Sequence, residues 1–155
     1  EGGYFRHRAV DQEEVAELLA PLAALTPDAL VHCCAGDAPV GLLTGSGRHG
    51  AGFAGISLDG ALLDAAGWDA LAHAVEAGVA LYLGVPEAAS WPAGPDPVVR
   101  RAVGWLRPLG LGPQLADRLW LSHPCGLAGV EGSRVRPQLA ALQRAAALVD
   151  EALRA

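Results

Sequence analysis

Lysine and methionine are absent from this 155-residue chain, and aromatic side chains make up only 5% of it. Without lysine there is no Schiff-base nucleophile, no P-loop lysine and no lysine-based phosphate clamp. All 11 basic residues are arginines, outnumbered by 17 Asp and Glu for a net charge of −6. With only two Phe and two Tyr beside that acidic balance, there is no basic stripe or stacking platform, and nucleic acid is not an expected partner. No apolar run reaches the roughly 18 residues of a membrane span, and the start, Glu1 to Arg8, has no apolar signal core, so no membrane partner and a cytoplasmic location are expected. The first residue is Glu rather than Met, and the chain is expected to be a piece of a longer protein.

Three cysteines, Cys33, Cys34 and Cys125, are too few for a disulfide framework, and an odd count leaves at least one thiol free. Such thiols in a reducing compartment are core groups or metal ligands. What is present in quantity is apolar: 52% apolar against 18% charged residues describes one globular unit over 1–155, with 1–10 as an irregular N-terminal segment. Disorder is excluded by the same figures.

Periodicity divides the chain into alternating elements. Asp11 followed by Glu14 is a capping-box-like start, and Val15, Leu18, Leu19, Leu22 and Leu25 recur at helical spacing, predicting a helix over 11–25. The short apolar run 29–34 suits a strand buried on both faces. A short helix over 39–44 leads through Gly45, Gly47, Gly50 and Gly52 to a strand over 55–58 that ends at Asp59. A helix over 68–77 is stopped by Gly78, and a third strand follows at 79–84. The Pro- and Ala-rich stretch 86–95 precedes a helix over 96–106, a fourth strand over 119–122 and a closing helix over 131–155, in which Pro137 is tolerable only in the first turn.

Short apolar strands alternating with amphipathic helices imply an α/β fold of four parallel βα units with right-handed crossovers. The options are an open doubly wound sheet or half of an eight-stranded barrel completed by another segment. In either, chemistry is sought at the carboxyl ends of the strands. Those ends carry His32-Cys33-Cys34, Asp59, Val85-Pro86-Glu87 and Ser122-His123-Pro124-Cys125.

Side chains alternate along a strand, so His32 and Cys34 share one face and Cys33 takes the other. If the strand ends converge, His32, Cys34, Asp59 and Cys125 supply one nitrogen, two sulfurs and one oxygen, a set that suits Zn²⁺ rather than the all-oxygen sites of Mg²⁺ or Ca²⁺. Cys33 is expected in the helix-facing layer as a small core side chain. His7, His49 and His73 have no partner at ligand spacing, and His123 is at most a neighbour of the ligands.

The H-x-C of His32 and Cys34, the I-S-L-D of Ile56 to Asp59 and the P-C-G-L of Pro124 to Leu127 before a long last helix together resemble the catalytic half of cobalamin-independent methionine synthase. That half belongs to the uroporphyrinogen-decarboxylase-like barrels, and the resemblance runs from about Ala29 to the C-terminus. It implies the C-terminal half of a (β/α)8 TIM barrel. It also implies a zinc ion that takes the thiol of homocysteine as methyl acceptor, with His32 and Cys34 as anchoring pair, Cys125 closing the site and Asp59 as the ligand that yields to the substrate.

Two departures from that pattern bear on the donor and on one ligand. The long enzymes have Glu where this chain has Asp59, and a His after the third of these strands where it has Val85-Pro86-Glu87. The pattern is closer to the shorter, single-barrel relatives, whose methyl donor is a corrinoid or another carrier. The expected partners are a small-molecule thiol, a methyl donor, and either a second copy of the chain or the missing half-barrel. Alternatives are the same chemistry on another thiol, such as a coenzyme thiol, and a non-catalytic, metal-stabilised half-barrel. A decarboxylase activity is disfavoured because arginines near the strand ends are sparse (Arg48, Arg118).

Overall fold

The four apolar runs form parallel strands in the computed structural model, which describes residues 10–85, 94–127 and 130–155. The chain order is α1 (Gln12–Ala23), β1 (Leu30–Cys33), α2 (Val40–Thr44), β2 (Gly55–Asp59), α3 (Ala65–Glu76), β3 (Ala80–Gly84), α4 (Asp96–Leu106), α5 (Gly112–Ala116), β4 (Leu119–Ser122) and α6 (Gly132–Arg154). Helices and strands alternate, as the apolar periodicity predicts.

Strand order in the sheet is β1-β2-β3-β4. A doubly wound sheet reverses direction at a switch point, and this sheet does not. Because successive crossovers share one hand, sequential order puts the connecting helices on one face. Burial agrees: Ile56, Leu58, Leu81 and Leu83 are almost wholly buried under α3, α4 and α6, which contribute Leu71, Val75, Ala102, Leu106, Ala145 and Val149. The opposite face carries Leu30, His32, Ser57, Tyr82 and Trp120, and Leu30 and Trp120 remain 46% and 47% exposed. This is the layout of half a (β/α)8 barrel, with helices outside and an open inner wall.

Register fixes which residues share that wall. His32 pairs with Ser57, Ser57 with Tyr82, and Tyr82 with Trp120, so the four form one row across the sheet. Tyr82 and Trp120 stack at 4.8 Å between ring centroids and 10° between planes, as neighbours on adjacent strands can.

Local chemistry sets the element ends. Gly78 has φ +96°, and its N–H bonds Val75 while Val79 N–H bonds Ala74, the paired hydrogen bonds of a Schellman stop. The helix it ends starts three residues before the expected Trp68, because Asp64 Oδ1 accepts the N–H of Gly67 at 2.8 Å and acts as N-cap. The first helix is shorter than expected and only part of its stripe meets the core: Val15 and Leu19 pack against it, Leu18, Leu22 and Leu25 are exposed, and only Ala16 and Ala23 are buried on α1. Pro137 falls beyond the first turn of α6, so the Ser133 carbonyl loses its usual i+4 donor while the helix continues. A 3₁₀ turn at Arg107–Leu109 and α5 break the link before β4, anchored by buried Leu111 and Leu115.

Residues 1–9, with His7, and the stretch 86–93, with the Pro86-Glu87 strand end, lie outside the described residues. Among the described residues no helix is long and apolar enough to cross a membrane.

Leu81 is fully buried at the centre of the sheet, and Leu22 is exposed. Leu81→Ala is expected to lower unfolding stability by about 2–5 kcal/mol in urea denaturation. Leu22→Ala is expected to change it by less than about 0.5 kcal/mol.

Candidate metal centre

β1 delivers two of the expected ligands. His32 lies on the open face with Cys34 just beyond the strand, and both are exposed, whereas Cys33 packs against the helix-side core. Alternation along the strand separates the neighbouring thiols as predicted. The imidazole Nδ1 of His32 lies 3.0 Å from Ser57 Oγ on the adjacent strand, a hydrogen bond made possible by their register pairing.

The third ligand has further to travel, because β4 and β1 are opposite edges of the sheet. The chain leaving β4 folds back over the end of β3. Gly84 permits this: a Cβ there would lie 2.8 Å from both the N and the Cβ of Pro124, inside van der Waals contact. With Pro124 seated on Gly84, Cys125 reaches the far side of the rim. One ligand atom each from His32, Cys34 and Cys125 then lies within 4.8 Å of the other two.

Tetrahedral zinc, with Zn–S about 2.3 Å and Zn–N about 2.0 Å, sets donor separations of roughly 3.5–3.8 Å. The 4.8 Å limit on the trio lies about 1 Å above the upper end of that range. The donors are one imidazole and two thiols, the softness that selects zinc over oxygen-seeking cations. Among the described residues this is the one cluster of three or more His, Cys, Asp or Glu close enough to share an ion.

Asp59, the fourth expected ligand, is not in that cluster. Its Oδ1 accepts the Ala61 N–H at 2.9 Å, and its carbonyl accepts the Leu62 N–H at 3.2 Å, which holds the carboxylate in the turn after β2. The shorter side chain of Asp, compared with Glu, makes this local closure possible. His123 is half-buried beside Cys125, and burial lowers its pKa from the usual histidine value. His49 faces Glu13 at 3.8 Å, and His73 Nδ1 lies 2.8 Å from the Asp69 carbonyl, so neither takes part.

No protein-family model, curated protein or solved structure matches this chain.

Two residues of the centre escape a reading confined to ligand types. Ser57 is visible in sequence only as the polar member of an apolar strand, and Gly84 only as a strand-terminal glycine. Gly84→Ala is expected to cost about 1–3 kcal/mol of stability by displacing Pro124 and to weaken metal binding with it. Gly104, which has open space where a Cβ would go, is the control. Gly104→Ala on α4 is expected to leave metal binding unchanged and to stabilise the helix by about 0.5–1 kcal/mol in the same denaturation series.

Proposed function

We propose that this chain provides the acceptor side of a zinc-dependent S-methyltransferase that moves a methyl group to a thiol, with homocysteine as acceptor and methionine as product. The observation that carries the reading is the approach of His32, Cys34 and Cys125 to within 4.8 Å of one another at the carboxyl rim of a parallel sheet. Three protein ligands with solvent at the remaining position are the pattern of a catalytic zinc site, whereas structural sites are closed by four. Homocysteine in particular is what the resemblance of the H-x-C, I-S-L-D and P-C-G-L runs to cobalamin-independent methionine synthase implies.

Bound zinc supplies the positive charge that keeps an acceptor sulfur ionised at neutral pH. His32 and Cys34 anchor the ion from one strand end, and Cys125 closes it from the other edge of the sheet. Two thiolate donors temper the charge on the metal, so the acceptor sulfur stays electron-rich. In the transfer, the thiol proton goes to solvent, a sulfur lone pair forms the new S–CH₃ bond, and the donor keeps the electron pair of the bond it loses. Asp59, whose carboxylate accepts the Ala61 N–H in the turn after β2, has no part as a fourth ligand in this proposal. The free thiols of Cys33, Cys34 and Cys125 suit a reducing cytoplasmic setting.

The open sheet face belongs to the same proposal. β1 and β4 are uncharged edge strands, without the Lys, Glu or Pro that usually protect an edge from pairing. A second four-stranded half, laid edge to edge, completes a barrel and covers Leu30, Tyr82 and Trp120.

Metal analysis of the purified chain is expected to return about one zinc per chain and far less for Cys34→Ser. In the cobalt-substituted protein, homocysteine is expected to perturb the thiolate-to-cobalt charge-transfer band. A coenzyme thiol that does so instead would redirect the acceptor assignment, and a wild type without zinc would end the catalytic reading. In sedimentation at micromolar concentration the chain is expected to associate, and a stable monomer would contradict the completed barrel.

A further inference from the structure

Ser57 is the polar residue between Ile56 and Leu58 in the centre of the sheet; it lies on the open face, while those two neighbours are almost fully buried on the helix side. Strand propensity does not call for serine here, since β-branched and aromatic residues suit such a position better. The register gives it a different task. Ser57 is the cross-strand partner of His32, and its Oγ lies 3.0 Å from Nδ1 of that imidazole.

A neutral imidazole has one N–H and one lone pair, and only the nitrogen bearing the lone pair can take a metal ion. Free neutral histidine prefers its proton on Nε2, which is the wrong tautomer for coordination through that atom. A hydroxyl that accepts Nδ1–H reverses the preference and fixes the ring plane. Metal-binding histidines are commonly held in this way by an acceptor on their second nitrogen. The Ser57 hydroxyl is the acceptor within reach, on a strand clamped on both sides by parallel ladders.

We propose that Ser57 is a positioning residue for the metal centre: its Oγ accepts the Nδ1–H of His32 and thereby presents Nε2 to the ion. This inference rests on the reading of the rim as a zinc site. Ser57 touches neither the ion nor the substrate, and it acts through His32. Threonine keeps the hydroxyl and favours a strand, so Ser57→Thr retains the function, whereas Ser57→Ala removes the acceptor without adding bulk.

Two measurements on the full chain test it. The first is the ¹⁵N spectrum of His32 in the metal-free protein at a pH where the ring is neutral. Wild type and S57T are expected to show an unprotonated Nε2, and S57A is expected to move toward the Nε2–H form. The second is zinc affinity by competition with a chromophoric chelator, where S57A is expected to bind about 10- to 100-fold more weakly. S57T is expected to stay close to wild type. Equal zinc affinity in S57A and wild type, or an Nε2–H tautomer in the wild type, overturns the positioning role alone. Failure of the wild type to bind zinc while His32 keeps the Nε2 lone pair overturns the metal reading, and the positioning role falls with it.

Discussion

A parallel sheet whose strands follow the order of the chain can be covered by its own crossovers on one face only. Everything else in this molecule follows from that constraint. The side chains of β2 and β3 that face the helices, Ile56, Leu58, Leu81 and Leu83, are the largest contributors to the sheet core. Those that face the other way, from His32 to Trp120, are left in a shallow open row. A polar hydrogen-bonded pair such as His32 and Ser57 can exist in that row because water still reaches it. On the helix side the same pair would bear a desolvation cost of a few kcal/mol with no apolar gain to offset it.

The rim is assembled by a second, local constraint. His32 and Cys34 arrive together because they are two residues apart on one strand, but Cys125 must cross the ends of β2 and β3 to meet them. Pro124 makes that crossing by resting on Gly84, where any side chain would occupy the same space. The backbone approach, more than the cysteine, decides where the sulfur goes. Asp59 shows the converse, since its carboxylate is captured by the N–H of Ala61 two residues away and so stands apart from the trio.

The pattern of strands and long helices was legible in the sequence because short apolar runs, bounded by Gly, Asp and Pro, have few other ways to be buried. The carboxyl ends of the strands likewise marked His32, Cys34 and Cys125, together with Asp59, which the fold leaves out of the cluster. What was not legible depends on contacts between segments distant in the chain. The stripe of Leu18, Leu22 and Leu25 has the period of a buried face, yet α1 lies at the margin of the sheet and leaves it exposed. The N-cap role of Asp64 could have been read, since an Asp directly before an alanine-rich helical run is a start signal. The partnership of Ser57 with His32 could not, because it depends on the register between β1 and β2.

The positions of the three donors also couple the chemistry to the fold. Most of the chain lies between Cys34 and Cys125, and their elements are the two outer strands of the sheet. An ion held by both therefore acts as a clip across the whole width of the sheet. Cross-links that close long loops remove the most entropy from the unfolded chain, and metal that binds only the folded state adds its binding free energy to stability. In the proposed metal centre the same clip would hold the segment of Pro124 and Cys125 on Gly84, where the two backbones already meet. On the proposed zinc reading, metal affinity, the stability of the two sheet edges and the geometry offered to an incoming thiol would be one linked quantity, so a change in the sheet register at His32 would reach the acceptor sulfur without touching it.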